Sequence, residues 1–191
     1  MYNEYLTTVG QFPNVFSPDE CRWLINLPLP VANAAIEVRH ADDLQRVESD
    51  KLDYGYRRTK IKSIPPEPGN AWIFQRLARL IGQVNKEAFH FQLNDVLTVD
   101  VLEYSPDGFF DWHVDLGAGF FSTRKLSVIG FLTPPDQYEG GDLCFMDGGP
   151  PLRLPQGTTA IFPSYLLHKV EPVTRGSRFT LVAWAHGPSF T

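Results

Sequence analysis

The chain has little cysteine, no long apolar run and no excess of positive charge, and each shortage removes a class of protein. Two cysteines among 191 residues, Cys21 and Cys144, are too few for a disulfide framework. Both sit in apolar patterns and are expected to be reduced and buried in a cytoplasmic protein. No apolar run approaches the roughly 20 residues that a membrane-spanning helix needs. The opening Met-Tyr-Asn-Glu has neither the basic region nor the apolar core of a signal peptide. Seventeen basic side chains against 22 acidic ones leave a net charge of -5, which argues against a general nucleic-acid binder. No repeat or low-complexity segment is present, and nothing in the chain speaks to oligomeric state. The length suits one substantial core, so 1–191 is expected to form a single domain, with helical and edge-strand support over 1–95 and an all-β core over about 96–188.

What the chain does contain is His113-Val114-Asp115, followed later by His168 and, ten residues on, by Arg178. In a strand, residues two apart share a face, so His113 and Asp115 can present an imidazole nitrogen and a carboxylate oxygen to one metal, with His168 as the third ligand. Two histidines and a carboxylate leave positions open, which suits non-haem Fe(II) better than a closed zinc site. The triplet alone is weak, because His-x-Asp recurs by chance and a strand histidine is usually a hydrogen-bonded core or surface residue. Its surroundings strengthen it. Phe109, Phe110 and Trp112 precede it, and Ile161-Phe162-Pro163 leads toward His168, so polar ligands sit among apolar strands where something must satisfy them.

Pro172 and Arg175-Gly176 predict a turn after which the next strand returns alongside that of His168. In that strand alternation puts Arg178, Thr180, Val182 and Trp184 on one face and Phe179, Leu181 and Ala183 on the other. A guanidinium there fits a carboxylate in a bidentate pair, and the competing reading is a salt bridge to an acidic side chain.

From about Leu97 to Trp184 the chain resembles the Fe(II)- and 2-oxoglutarate-dependent dioxygenases, in their prolyl 4-hydroxylase-like branch. Four blocks carry the resemblance in order: Glu103 to Asp115, Leu126 to Leu132, Tyr138-Glu-Gly-Gly-Asp-Leu143, and Phe162 to Arg178. It implies that His113, Asp115 and His168 bind iron and that Arg178, where many relatives have lysine, holds the far carboxylate of 2-oxoglutarate. Thr180 would add a hydroxyl to that carboxylate, and Tyr104 would contact the cosubstrate or else be an ordinary core tyrosine. It also implies O2 as oxidant, ascorbate as an optional reductant, and release of succinate and CO2 as a C–H bond is hydroxylated. The substrate would be a prolyl or other protein residue or a small molecule. Alternatives are a jelly-roll sensor that binds metal and carboxylate without turnover, and a nucleic-acid-modifying oxygenase.

The implied fold is mainly β with supporting helices: a double-stranded β-helix, or jelly roll, with N-terminal helices packed on the sheet. Ser17-Pro18-Asp19-Glu20 is a capping box that starts a short helix, and Ile73, Leu77, Leu80, Ile81 and Val84 predict a longer helix over about 71–88. Two segments are candidates to border the site. Loop 116–124, with two glycines and two phenylalanines, is a lid or an ordinary connection. The basic run 57–62 reads as a sheet edge or an anion-binding strand, with Phe120 and Arg58 as the residues to test.

Overall fold

The structure, a computed structural model, describes residues 3–34, 36–37, 52–53, 55–94 and 97–190. Strand β1 (Gly10–Phe12) leads to helix α1 (Pro18–Ile25). The Ser17 hydroxyl accepts from the Glu20 amide and Glu20 accepts from the Ser17 amide, so the capping box is complete. After β2 (Ala32–Ala34), β3 (Ile36–Glu37), β4 (Leu52–Asp53) and β5 (Arg57–Ser63) comes helix α2 (Ala71–Val84). The second helix does not run as α to residue 88. It passes into a π-helical turn, Asn85–Phe89, and ends at His90 with φ 58°. Asn85 causes the break, because its side chain both donates to and accepts from the backbone of Phe91, at 2.9 Å each way.

The remaining strands are β6 (Leu97–Tyr104), β7 (Phe109–His113), β8 (Arg124–Phe131), β9 (Tyr138–Gly140), β10 (Leu143–Phe145), β11 (Thr159–Pro163), β12 (His168–Val170), β13 (Val173–Gly176) and β14 (Arg178–His186). One sheet runs β1-β11-β8-β14-β6-β5-β7-β12-β10, antiparallel throughout, with β2 also paired to β5. Strand β5 is where it rolls over, pairing with β6 through Lys60–Ser63 and with β7 through Arg57 and Arg58. The basic run is therefore an internal strand and not a sheet edge. Lys60 pairs with Glu103 across to β6, and Lys62 caps the carbonyls of Ile25 and Leu27.

Alternation sorts the side chains into two cores. Leu181 and Ala183 of β14, with Val99 and Val101 of β6, pack on Leu24 of α1 and Ile73 and Leu77 of α2. Val182 and Trp184 of β14, with Leu102 and Tyr104 of β6, face Phe110, Phe145 and Val170 inside the roll. The expectation that β14 lies alongside the His168 strand is corrected here. Strand β13 pairs with β9, the chain turns at Gly176 with φ 73°, and β14 enters the opposite layer between β6 and β8. Cys21 is fully buried, and burial pushes its thiol up to about 11. Cys144 is only half-buried, because it lies on the outward side of β10. Both are free.

Candidate metal and cosubstrate site

Strand pairing brings the two histidines together, since β12 and β7 place His168 directly opposite His113. Their rings are 4.2 Å apart between centroids. His113 Nδ1 is 2.7 Å from the Asp111 carbonyl and His168 Nδ1 is 2.8 Å from the Leu166 carbonyl, so in each ring Nδ1 carries the proton and Nε2 is left with a free lone pair. Asp115 lies beyond the end of β7, so strand alternation alone does not position it. Its amide donates to the Ser164 carbonyl at 2.9 Å and its Oδ2 accepts from the Ser127 hydroxyl at 2.7 Å.

His113 Nε2 and His168 Nε2 each sit 3.8 Å from an Asp115 oxygen, too far for a hydrogen bond. The three ligand atoms all lie within 4.8 Å of one another. Three donors converging without bonding each other fit a single cation between them. Burial, followed by neighbouring His168, pushes His113 down to about 3, so its imidazole is neutral, the form that binds metals. Burial raises the Asp115 carboxyl, but the histidines and the Ser127 hydroxyl more than offset this and hold it below its ordinary value. Phe110 stacks on His113 at 3.4 Å and fixes the ring plane.

The three ligands open onto a cavity of about 640 Å³ inside the roll. Tyr104 lines it; burial raises its phenol, and its hydroxyl interacts with Arg178. Arg178 is 1% exposed, between the rings of Tyr104 and Phe131 at 5.2 and 5.3 Å. The salt bridge that was the competing reading is absent among the described residues, and Nε and Nη2 of Arg178 have no hydrogen-bond partner. Thr180 is buried two residues along the same strand face. Neither Arg178 nor Thr180 lines the cavity directly.

Loop 116–124 borders the cavity through Leu116, Gly117, Ala118 and Phe121, the last on a 3₁₀ turn, Gly119–Thr123. Phe120 instead points away and stacks on His186 at 4.7 Å. In the basic run it is Arg57, and not Arg58, that faces the cavity. Arg124, the end of loop 116–124, also lines the cavity, whereas the sequence reading singled out neither Asp100 of the cavity wall nor Ser127, which donates to Asp115. Alternation along β6 puts Asp100 on the face of Tyr104, so that signal was available.

Residues 99–186 match the 2OG-Fe(II) oxygenase superfamily. A PKHD-type hydroxylase of Methylobacterium nodulans is 44% identical over 71 residues, which is 36% of this chain and 31% of that protein. One from Stenotrophomonas maltophilia is 39% identical over 88 residues, 42% and 39% of the two chains. The chain thus spans about a third of the length of the curated relatives it matches. Among solved structures, a Pseudomonas putida prolyl-4-hydroxylase superposes with a TM-score of 0.71 at 20% identity, over 94% of this chain and 93% of that one. A Trichoplax adhaerens prolyl hydroxylase in complex with a hypoxia inducible factor peptide gives 0.70 at 15%, over 93% and 83%. The fold is therefore the double-stranded β-helix of the prolyl hydroxylases. Over residues 99–186 the chain is similar to the 2OG-Fe(II) oxygenase superfamily, and over most of its length its fold is similar to that of prolyl hydroxylases.

Proposed function

We propose that this chain is an Fe(II)- and 2-oxoglutarate-dependent hydroxylase acting on a C–H bond of a prolyl-type protein residue or a small molecule. The observation that carries the reading is Arg178, a buried guanidinium with two unpartnered nitrogens behind a cavity whose opposite wall offers two imidazoles and a carboxylate. A buried cation left without an anion is costly, and a ligand carboxylate is the natural complement of its planar fork. His113, Asp115 and His168 hold the iron, Arg178 takes the distal carboxylate of 2-oxoglutarate, and Tyr104 and Thr180 add hydroxyl donors. When bound, the iron supplies the oxygen chemistry that couples decarboxylation of 2-oxoglutarate to hydroxylation. The protein's part is placement. Ser127 and Ser164 orient Asp115, the backbone carbonyls of Asp111 and Leu166 fix the histidine tautomers, and the apolar walls keep bulk water from the site.

Ascorbate as a reductant and a cytoplasmic setting belong to the same reading; both cysteines are free, and no described helix is long and apolar enough to cross a membrane. The engagement of Lys60 and Lys62 within the fold supports a structural role for the basic run over nucleic-acid binding. The test is anaerobic titration of the Fe(II) protein with 2-oxoglutarate, read by visible absorption, then succinate release in air. A charge-transfer band followed by succinate is expected. A band without succinate would identify a binding module, and no band would remove the assignment.

A further inference from the structure

Three charged cavity residues, Arg57, Arg124 and Asp100, have no part in the iron and 2-oxoglutarate assignment. Asp100 lies mid-strand in β6, between Ser63 of β5 and Val182 of β14, on the cavity face. An acid in the middle of a rolled sheet is costly to bury. Burial raises its carboxyl, which the Ser63 hydroxyl and then Arg124 and Arg57 partly counter. It closes no ion pair with either arginine among the described residues.

Both arginines are held flat against rings with donors to spare. Arg124 lies 3.7 Å over Trp184 and 4.5 Å over Phe121, and Nη1 makes a long 3.3 Å bond to the Asp115 carbonyl. Its Nε is buried without a partner, as is the indole N–H of Trp184 beside it. Arg57 lies 4.5 Å over Phe110 and donates through Nε to Thr59 at 2.9 Å. The Arg124 and Trp184 part of this group sits apart from the Arg178 end, whereas Arg57 reaches toward Tyr104. Trp184 is six residues along β14 from Arg178, roughly 20 Å at strand rise.

Two open guanidiniums and one open carboxylate form a mixed-charge surface. Were the acid there only to neutralise the arginines, closed ion pairs would be expected; were the site for an anion alone, Asp100 would oppose it. An internal residue of a peptide presents only neutral amides at its backbone and satisfies neither sign. We propose that the primary substrate is a free amino acid, its carboxylate held by Arg124 and Arg57 and its ammonium by Asp100. This rests on the hydroxylase reading above. The reaction is then amino acid, 2-oxoglutarate and O2 giving hydroxy-amino acid, succinate and CO2, with one oxygen atom entering the C–H bond and the other the succinate.

The experiment uses the Fe(II)- and 2-oxoglutarate-loaded protein. Each proteinogenic amino acid and a set of prolyl peptides are tested for perturbation of the anaerobic visible spectrum, then for stimulated succinate release and a product heavier by one oxygen. At least one free amino acid should respond in all three readouts. Its N-acetyl and C-amide derivatives should each lose about tenfold or more in kcat/KM, because each leaves a buried charge unpaired. Asp100→Asn should shrink the penalty for acetylation but keep that for amidation, and Arg124→Gln should do the reverse. The derivative series on the wild-type protein decides the matter even where a variant fails to fold. Equal turnover of blocked and free forms, stimulation by prolyl peptides alone, or no response to any amino acid while uncoupled succinate still forms would overturn the substrate inference alone. Loss of the Fe(II)–2-oxoglutarate band and of all succinate would overturn the hydroxylase reading with it.

Discussion

Arg178 reaches its place because a glycine makes room for it. Gly141 has φ +67°, and a Cβ there would lie 3.0 Å from Arg178 Cδ and 2.9 Å from Val173 Cγ2. An alanine at this left-handed position costs about 1 kcal/mol in backbone strain before any clash is counted. Gly141→Ala should therefore push the guanidinium aside and raise the dissociation constant for 2-oxoglutarate by roughly tenfold, with iron affinity little changed, since the strain falls on one partner of the bidentate pair. Calorimetric titration of the Fe(II) protein measures both. Arg178→Ala should weaken 2-oxoglutarate more, by about a hundredfold, and Arg178→Lys should fall between because the charge survives and the fork does not. Unchanged 2-oxoglutarate affinity in Arg178→Ala would assign that side chain a purely structural role.

Local elements could be read from the chain because neighbouring residues decide them. The capping box at Ser17 and Glu20 is complete within one turn, and the alternation of β14 separates Arg178, Val182 and Trp184 from Leu181 and Ala183 as expected. Contacts between distant segments were less legible. Nothing near Arg57 says that β5 bridges two layers, and nothing near Gly176 says that β14 crosses away from His168. The π-helical end of α2 also lay outside the apolar periodicity, since a side chain of Asn85 produces it. Glu20 joins both kinds of information, because beyond its cap it forms a two-pronged pair with Arg76 of α2, at 2.6 and 2.8 Å. That pair chiefly holds the Glu20 carboxyl down at about 2, from an ordinary 4.5. With the folded value depressed, the stabilisation is fully present above about pH 4.5 and is lost as pH falls toward 2. Both side chains are about a third exposed, so solvent screening limits the pair to about 1 kcal/mol. Glu20→Gln should lower stability by about that amount at pH 7 and remove this part of the acid sensitivity. Urea midpoints at neutral and acid pH check it, and parallel curves for wild type and variant would show that the pair contributes nothing.

The rolled sheet closes around charges that the protein itself does not pair. One wall carries Arg178, the thin β7-β12-β10 side carries both histidines, and Asp115 links that side to β8 through Ser127. The free protein thus holds an unsatisfied guanidinium and three converging ligands inside its second core. Iron and 2-oxoglutarate would satisfy them and cross-connect the two layers, so ligand loading should stabilise the whole molecule and not the site alone. At a hundredfold excess over its dissociation constant, a ligand that binds only the folded state adds about 2.7 kcal/mol. For a chain of this size that corresponds to a rise in Tm of roughly 5–10 °C. Thermal unfolding under nitrogen, with chelator, with Fe(II), and with Fe(II) plus 2-oxoglutarate, should give three ascending midpoints. In His168→Ala the iron step should vanish, whereas in Arg178→Ala the iron step should persist and the 2-oxoglutarate step should shrink. An iron step of wild-type size in His168→Ala would place metal binding elsewhere on the chain, and the convergence of His113, Asp115 and His168 would then need another cause.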